Sequence, residues 1–549
     1  MVERDAITGH RWRLAGLALL GLLLALVLAT FRGYGTVWDE ELQRRYGDHV
    51  IRWWASGFTD RSAMTFSNLW LYGGLFDVPA NLLARASPFG VYETRHLASA
   101  LLGLAGVAAT WRLGALVAGE AAGLLAALLL ALVPAWYGHT FANPKDVPFA
   151  AFATLALLAM VRAAHEAPRV PWRLVVLTGL ATGAALGVRV GGAFLLGYVG
   201  LLWTASALLP WRGPRPALAA ARALAPRLLA VVAVAWPVML ACWPWALEGP
   251  FTRPFEAIRA ATRFDWNGNV LFDGQQVWAL RLPLRYLPTW FTITLPEAHL
   301  LALLAGAAAM GLALRRHVAR APAPGHHGAG PLRAALDLGA VGFAVAFPFL
   351  TVLLLRPVMY DGHRQFLFVL PPLAVLMAAG LVRFLGDRMV PRPARLALAA
   401  AVAGSLALTA VDMARLHPYE TVYFNRVTVG GLPGAAGRFE TDYWGQSYRQ
   451  AIEDVVRHYR PSGPVRVADC AAEFLVGYWL EEAQPTGPFV VVRFDADPDL
   501  LVATPRYRCL PEMGRPIHAV TRMGVPLVTV YERRARGTWT GPPAPEGLR

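Results

Sequence analysis

The chain has 549 residues, 56% hydrophobic and only 16% charged, with a formal net charge of +15. Its mean hydropathy of +0.42 is too apolar for a soluble domain. The positive charge needs no nucleic acid, because no basic stripe sits on a recognisable nucleic-acid fold and arginines beside anionic lipid explain much of it.

Apolar stretches near the length of a bilayer crossing predict about eleven transmembrane helices, near 14–31, 94–117, 121–138, 147–164, 173–188, 191–209, 227–246, 298–314, 334–355, 366–385 and 394–413. The expected fold is therefore a polytopic α-helical membrane domain over 1–413 with a small C-terminal α/β domain over 414–549. The first stretch reads as a retained anchor rather than a signal peptide, since its apolar core is long and no clear A-x-A site precedes FRGYGTVW. Arginines recur in alternate connections: Arg4, Arg11 and Arg13; Arg162, Arg169 and Arg173; Arg212, Arg215, Arg222 and Arg227; Arg315, Arg316 and Arg320; Arg383, Arg388, Arg392 and Arg395. Positive flanks stay cytoplasmic. The N-terminus is thus expected inside, in an inner (cytoplasmic) membrane, with loops 32–93, 139–146, 189–190, 247–297 and 356–365 and the tail outside.

The first outer loop contains TVWDEELQRRYGDH. Asp39 reads either as the N-cap of an interfacial helix, with Glu40 and Glu41 favouring its dipole, or as a general base toward a substrate hydroxyl. Arg95 and His96 follow at the start of the second span. On the same face comes HTFANPKDVPF, with His139, Asn143, Lys145 and Asp146. Asn143-Pro144 makes a turn and Asp146 caps the next span; capping leaves Lys145, the only lysine in the chain, without a reason. Arg189, in GVRVGG, is close to membrane depth and is expected to face protein or lipid phosphate.

Loop 247–297 is aromatic and offers Glu248, Glu256, Asp265 and Asp273, with His299 just beyond, yet no metal-ligand spacing such as H-E-x-x-H; a divalent metal stays possible and no cofactor is certain. RPVMYDGHRQF then gathers Tyr360, Asp361, His363 and Arg364. Asp361-Gly362 is a turn in either reading; functionally, Arg364 and His363 can grip a phosphate. In the tail, PVRVADC and GPFVVVRF read as buried strands, AAEFLVGYWLEEA as a helix between them, and PLVTVYERR as a last strand. Cys470 and Cys509 both fall in the tail, where an oxidising compartment permits a disulfide. HPYETVYFN and GRFETDYWGQSY either dock the tail on the bilayer or border the site. RAPAPGHHGAGPLR, 320–333, reads as a flexible linker and GTWTGPPAPEGLR as a fraying end.

An Asp-Glu pair in the first outer loop, a second acidic cluster between spans three and four, and an extracytoplasmic C-terminal domain together resemble the GT-C glycosyltransferases. Within them the chain is similar to glycosyltransferase family 39, the protein O-mannosyltransferase and aminoarabinose-transferase kind. The likeness covers mainly 14–250, and topology extends it to about 413. It implies an inverting transfer of a hexose or pentose from a polyprenyl-phosphate donor in the membrane lipid to a hydroxyl acceptor. It also implies Asp39 as base with Glu40 beside it, and Asp146 as the second acidic site. Lys145, Arg364, His363 and Arg189 are the candidates for the donor phosphate; Asn143, His139, Tyr360 and Asp361 are candidates to line the site. No segment resembles the β-trefoil domain of eukaryotic protein mannosyltransferases, so a protein acceptor is not implied. A multispan transporter or lipid flippase, or a scaffold presenting the tail, are the competing classes.

Overall fold

The computed structural model describes residues 2–209, 214–262, 266–319, 329–470, 473–506 and 509–545. Most of the expected linker 320–333, Arg212, Asp265, Arg320 and the last four residues lie outside the described residues.

Helix α1 (Val2–Thr30) leads to α2 (Trp38–Ala55) and α3 (Asp77–Ala86), which lie between it and α4 (Val91–Ala118). There follow α5 (Glu120–Ala131), α6 (Pro134–Ala142), α7 (Asp146–Ala164), α8 (Trp172–Val188), α9 (Ala193–Leu208) and α10 (Pro214–Leu240). The second long loop folds into α11 (Pro244–Leu247), α12 (Arg253–Thr262), a hairpin of β1 (Asn269–Phe272) and β2 (Gln275–Trp278), and α13 (Tyr286–Thr294). Helices α14 (Glu297–Ala319), α15 (Ala329–Leu355), α16 (Leu370–Gly386) and α17 (Arg392–Leu416) complete the body.

Among the described residues, eight helices are long and apolar enough to cross a membrane, or ten if two bent pairs each count as one crossing. The chain is an integral membrane protein. The bends have local causes. Pro134 cannot continue the hydrogen bonding of α5 and opens α6, 65° away. Pro296 holds Leu295 extended, and α13 meets α14 at 112°. Helix α8 has 17 residues, about 26 Å at 1.5 Å per residue, short of the roughly 30 Å hydrocarbon core. It lies close against α10, where a Cβ on Gly183 would sit 2.5 Å from the Ala235 carbonyl oxygen.

Ion pairs bind helix ends at the face away from the long loops: Arg13 to Glu120 at 2.7 Å, His165 to Asp337 at 3.0 Å, and Arg316 to Asp387. At the opposite face the tail begins. Asn425 donates to the carbonyls of Thr292 and Leu295, at 2.6 and 2.8 Å, and so fixes the chain after α17 onto α13. Short helices α18 (Arg426–Val429) and α19 (Gly431–Ala435) precede α20 (Tyr448–His458) and α21 (Glu473–Ala483).

Strand β3 (Tyr459–Pro461) pairs with the terminal β9 (Gly537–Trp539). The main sheet has five strands in the order β5-β4-β6-β8-β7. It is built from β4 (Val465–Asp469), β5 (Phe489–Val491), β6 (Leu500–Ala503), β7 (Arg515–Arg522) and β8 (Val525–Glu532). Strand β4 runs parallel to β5 and β6, and β8 antiparallel to β6 and β7. The expected strands and helix are β4, α21, β5 and β8. Strand β7 is an addition, joined to β8 by Met523-Gly524, both left-handed at φ 47° and 80°, the geometry of a tight hairpin. Cys470 and Cys509 are joined in a disulfide. Trp479 of α21 donates to the Thr36 hydroxyl, which seats the tail beside the start of α2.

Candidate active site

Helix α2 decides which carboxylate faces where. Its N-cap is Val37, without a side-chain capping bond, so Asp39 is not the cap but lies in the first turn with Glu40 and Glu41. Successive helical residues are rotated by about 100°, and the three carboxylates part company. Glu40 is sealed against His96 of α4, 3.0 Å from its Nε2. Glu41 takes Arg44 at 2.7 Å, Arg45 at 2.6 Å and the Tyr92 hydroxyl. Asp39 alone turns to the cavity. Arg95 pins α3 to α4 through Asp77, at 2.6 Å, and Gly47 leaves α2 room to lie on Asp77 and Asn81.

Four cations and four carboxylates meet around Asp39. Lys145 Nζ is 3.2 Å from Asp39 Oδ2, and Arg364 Nη2 is 3.5 Å from the same oxygen. Arg364 also binds Asp146 at 3.1 Å and Asp361 at 2.8 Å. Asp146 receives Arg189 on its other oxygen at 2.5 Å. Arg506, from the tail, reaches Asp361 at 2.6 Å and Glu440 at 3.3 Å. Buried charges persist only when paired, and here most members hold more than one partner.

The local chain explains the placement. Asn143 accepts from the Asp146 amide at 2.9 Å and donates to its carboxylate at 3.1 Å; Asp146 is thus the first residue of α7 and not its cap, which is Lys145. Lys145 is thereby left to point at Asp39, with its ammonium 5.5 Å from the centre of the Tyr72 ring. Asp361 and Gly362 form the expected turn, both with positive φ, 57° and 67°, and the turn delivers Asp361 and Arg364 together. Gly73 lets the loop carrying Tyr72 press on the end of α8: a Cβ there would sit 2.0 Å from the Gly187 carbonyl oxygen.

Burial by itself would raise the Asp39 carboxyl, but Lys145, then Arg364 and Arg189, outweigh it and hold the group down to about 2. Asp39 is therefore a carboxylate at every physiological pH. Glu440 behaves oppositely: burial, opposed by Arg506 and reinforced by Asp361, pushes it up to about 7.

Asp39, Lys145, Tyr360, Asp361, Arg364 and Arg506 line a cavity of about 290 Å³ together with Trp38, Leu42, Gln43, Ser67, Asn68, Leu69, Tyr72 and Trp266. Tyr360 stacks on Trp266 at 4.6 Å. A second, apolar cavity of about 270 Å³ shares Tyr72 and Tyr360 with the first, has Arg189 in its wall, and runs between Phe149, Phe194, Phe347 and Phe368. A polar chamber thus adjoins a greasy one across two tyrosines.

Of the expected site residues, Asp39, Lys145, Tyr360, Asp361 and Arg364 come together at the cavity, and Asp146, Arg189 and Asn143 stand directly behind it. Glu40 faces His96 instead. His139 is buried against Tyr443, 3.0 Å away. His363 lies against Phe291, at 5.0 Å between ring centres, and burial pushes its imidazolium down to about 4, which leaves no charge for a phosphate at neutral pH. Sequence reasoning missed Arg506 and Gln43. The signal for Gln43 was its spacing, four residues after Asp39 and hence on the same helical face. Glu440, Tyr443 and Trp444 do fall in GRFETDYWGQSY, and Trp444 lies under the Arg364 guanidinium at 4.5 Å. Among the described residues no three His, Cys, Asp or Glu side chains converge as a metal site would require.

Residues 89–238 match the family model described as dolichyl-phosphate-mannose-protein mannosyltransferase. The match spans 150 of the 549 residues, and over that segment the chain is similar to this family. Among solved structures it is similar to ArnT from Cupriavidus metallidurans in the apo state, at 16% identity over 96% of this chain and 98% of that one, with a TM-score of 0.48. The same protein bound to undecaprenyl phosphate is similar at 17% identity over 94% and 98%, with a TM-score of 0.48. The Archaeoglobus fulgidus oligosaccharyltransferase follows at 13% identity over 86% and 64%, with a TM-score of 0.46. No curated protein matches the chain.

Proposed function

We propose that the protein is an inverting glycosyltransferase that moves a sugar from a polyprenyl phosphate to a hydroxyl acceptor at the extracytoplasmic face of the inner membrane, with Asp39 as general base. The observation that carries this reading is the contact of Asp39 with Lys145 and Arg364 in a cavity that adjoins an apolar one. The sugar occupies the polar chamber and the first isoprene units the apolar one. The phosphate lies between them, within reach of Lys145, Arg364 and Arg189. The arginine-rich connections on the other side support the orientation.

In the resting site Asp39 is a poor base, because two cations share its oxygen. An arriving phosphate competes for the same cations, and as they turn to it the restraint on Asp39 relaxes. The acceptor hydroxyl then gives its proton to the Asp39 carboxylate while its oxygen bonds to the anomeric carbon from the side opposite the phosphate. The bond from that carbon to the phosphate oxygen breaks with its electron pair, and Lys145, Arg364 and Arg189 stabilise the departing charge. Fixed charges aimed where charge develops usually supply the largest share of rate enhancement. Asp146 and Asp361 hold the arginines in place.

Asp39→Asn tests the assignment. Transfer should fall by about 100- to 10,000-fold with polyprenyl-phosphate binding retained; transfer at the wild-type rate would sink the base role. Envelope glycans compared by mass spectrometry with and without the gene identify the sugar class by the missing mass. No change in any fraction would favour a transporter or a scaffold.

A further inference from the structure

Gln43 is 2% exposed, lines the polar cavity, and its side-chain amide nitrogen is buried without a hydrogen-bond partner. A buried amide left unpaired costs stability, and it sits one turn beyond Asp39 on the same face of α2. Among the described residues lining the cavity, its amide nitrogen is the one buried side-chain polar atom without a hydrogen-bond partner. Ser67 and Asn68 line the same cavity, both exposed, with Ser67 in the left-handed region at φ 51°. Trp38, Tyr72 and Trp266 supply apolar faces beside these polar groups. Amides and hydroxyls set among aromatic rings match a sugar ring, which presents both hydroxyls and C–H faces.

The charges on the wall narrow the sugar further. Among the described residues, Lys145, Arg364 and Arg506 line the cavity with two carboxylates, Asp39 and Asp361. Asp39 is committed to Lys145 and Arg364, and Asp361 to Arg364 and Arg506. Asp146 and Glu440, behind the wall, are likewise engaged by Arg364 and Arg506. An ammonium on the sugar would find no carboxylate to spare and like charges nearby.

We propose that Gln43, with Ser67 and Asn68 of the same cavity, reads a hydroxyl of the donor's sugar, and that the site takes an uncharged sugar in preference to an amino sugar. This rests on the glycosyltransferase reading above. Gln43 is a specificity residue here, acting on the sugar and not on the phosphate or the proton.

The test uses the full-length protein in lipid nanodiscs and three kinds of probe: bare polyprenyl phosphate, polyprenyl-phosphate hexoses (mannose, glucose and galactose), and a polyprenyl-phosphate 4-aminopentose. Wild type should bind at least one hexose donor about tenfold tighter than the aminopentose donor. Gln43→Ala should weaken that hexose donor by about tenfold, and leave bare polyprenyl phosphate within twofold of wild type, which also shows that the variant is folded. Gln43→Glu, which adds a carboxylate of the same shape, should reverse the preference toward the aminopentose donor. The proposal is overturned if wild type prefers the aminopentose donor, or if Gln43→Ala weakens the bare lipid as much as the sugar-bearing one. Failure of wild type to bind bare polyprenyl phosphate at all is a different result: it removes the donor reading itself.

Discussion

The two ends of the membrane body use ion pairs differently. Away from the long loops each basic group holds one carboxylate: Arg13 holds Glu120, Arg316 holds Asp387, and His165 and Arg333 both hold Asp337, tying one helix end to another. Around Asp39 the pairs are shared: Arg364 alone touches Asp39, Asp146 and Asp361, and is 2% exposed. A dedicated pair has one arrangement, whereas a shared network can give a cation to an incoming phosphate and still leave each carboxylate another partner. The difference separates fastening from chemistry, and it can be broken at either end.

The largest effect is expected at Arg364. Arg364→Met removes the one cation that Asp39, Asp146 and Asp361 share, so transfer should fall below detection and stability by about 3–5 kcal/mol, read by donor turnover and by thermal melting. Lys145→Arg keeps the charge but replaces a compact ammonium by a planar fork. It should cost about tenfold or more in transfer while the melting temperature holds, and unchanged donor affinity and rate would make the lone lysine incidental.

Glu440 sharpens the comparison through pH. Its folded value, raised from 4.5 to about 7, means that the folded chain holds this proton more tightly than the unfolded chain. The stabilisation is full below 4.5 and is lost as pH rises through about 7. Melting temperature should therefore fall across that window, and Glu440→Gln should flatten the slope, gaining about 1–3 kcal/mol at pH 8. At the fastening end, Arg316→Ala should cost no more than about 1 kcal/mol and leave transfer within twofold. A large loss of activity there would dissolve the distinction.

Much of this was legible in the sequence. Hydropathy located the helices, and the lone lysine marked the cluster that meets Asp39. What stayed hidden has physical causes. A proline breaks α5 from α6, and hydropathy does not register a bend. The phase of α2 separates Asp39 from Glu40 by about 100°, but which of the two faces the cavity depends on where α4 packs. Arg506 was invisible because it arrives from the tail, more than 460 residues beyond Asp39 along the chain, beside the disulfide at Cys509. The apolar run of β6, LLVA, is only four residues long, too short to announce itself as a strand.

Lys145 has one more consequence. Being the only lysine, it carries the sole ε-amine of the chain, so an amine-directed acylating reagent has one internal target, and that target lies at the candidate site with a side chain 12% exposed. Mass spectrometry of the labelled protein becomes a footprint of a single atom. Polyprenyl phosphate should protect it, phosphate-free polyprenol should not, and the acceptor need not be known for the measurement to be made.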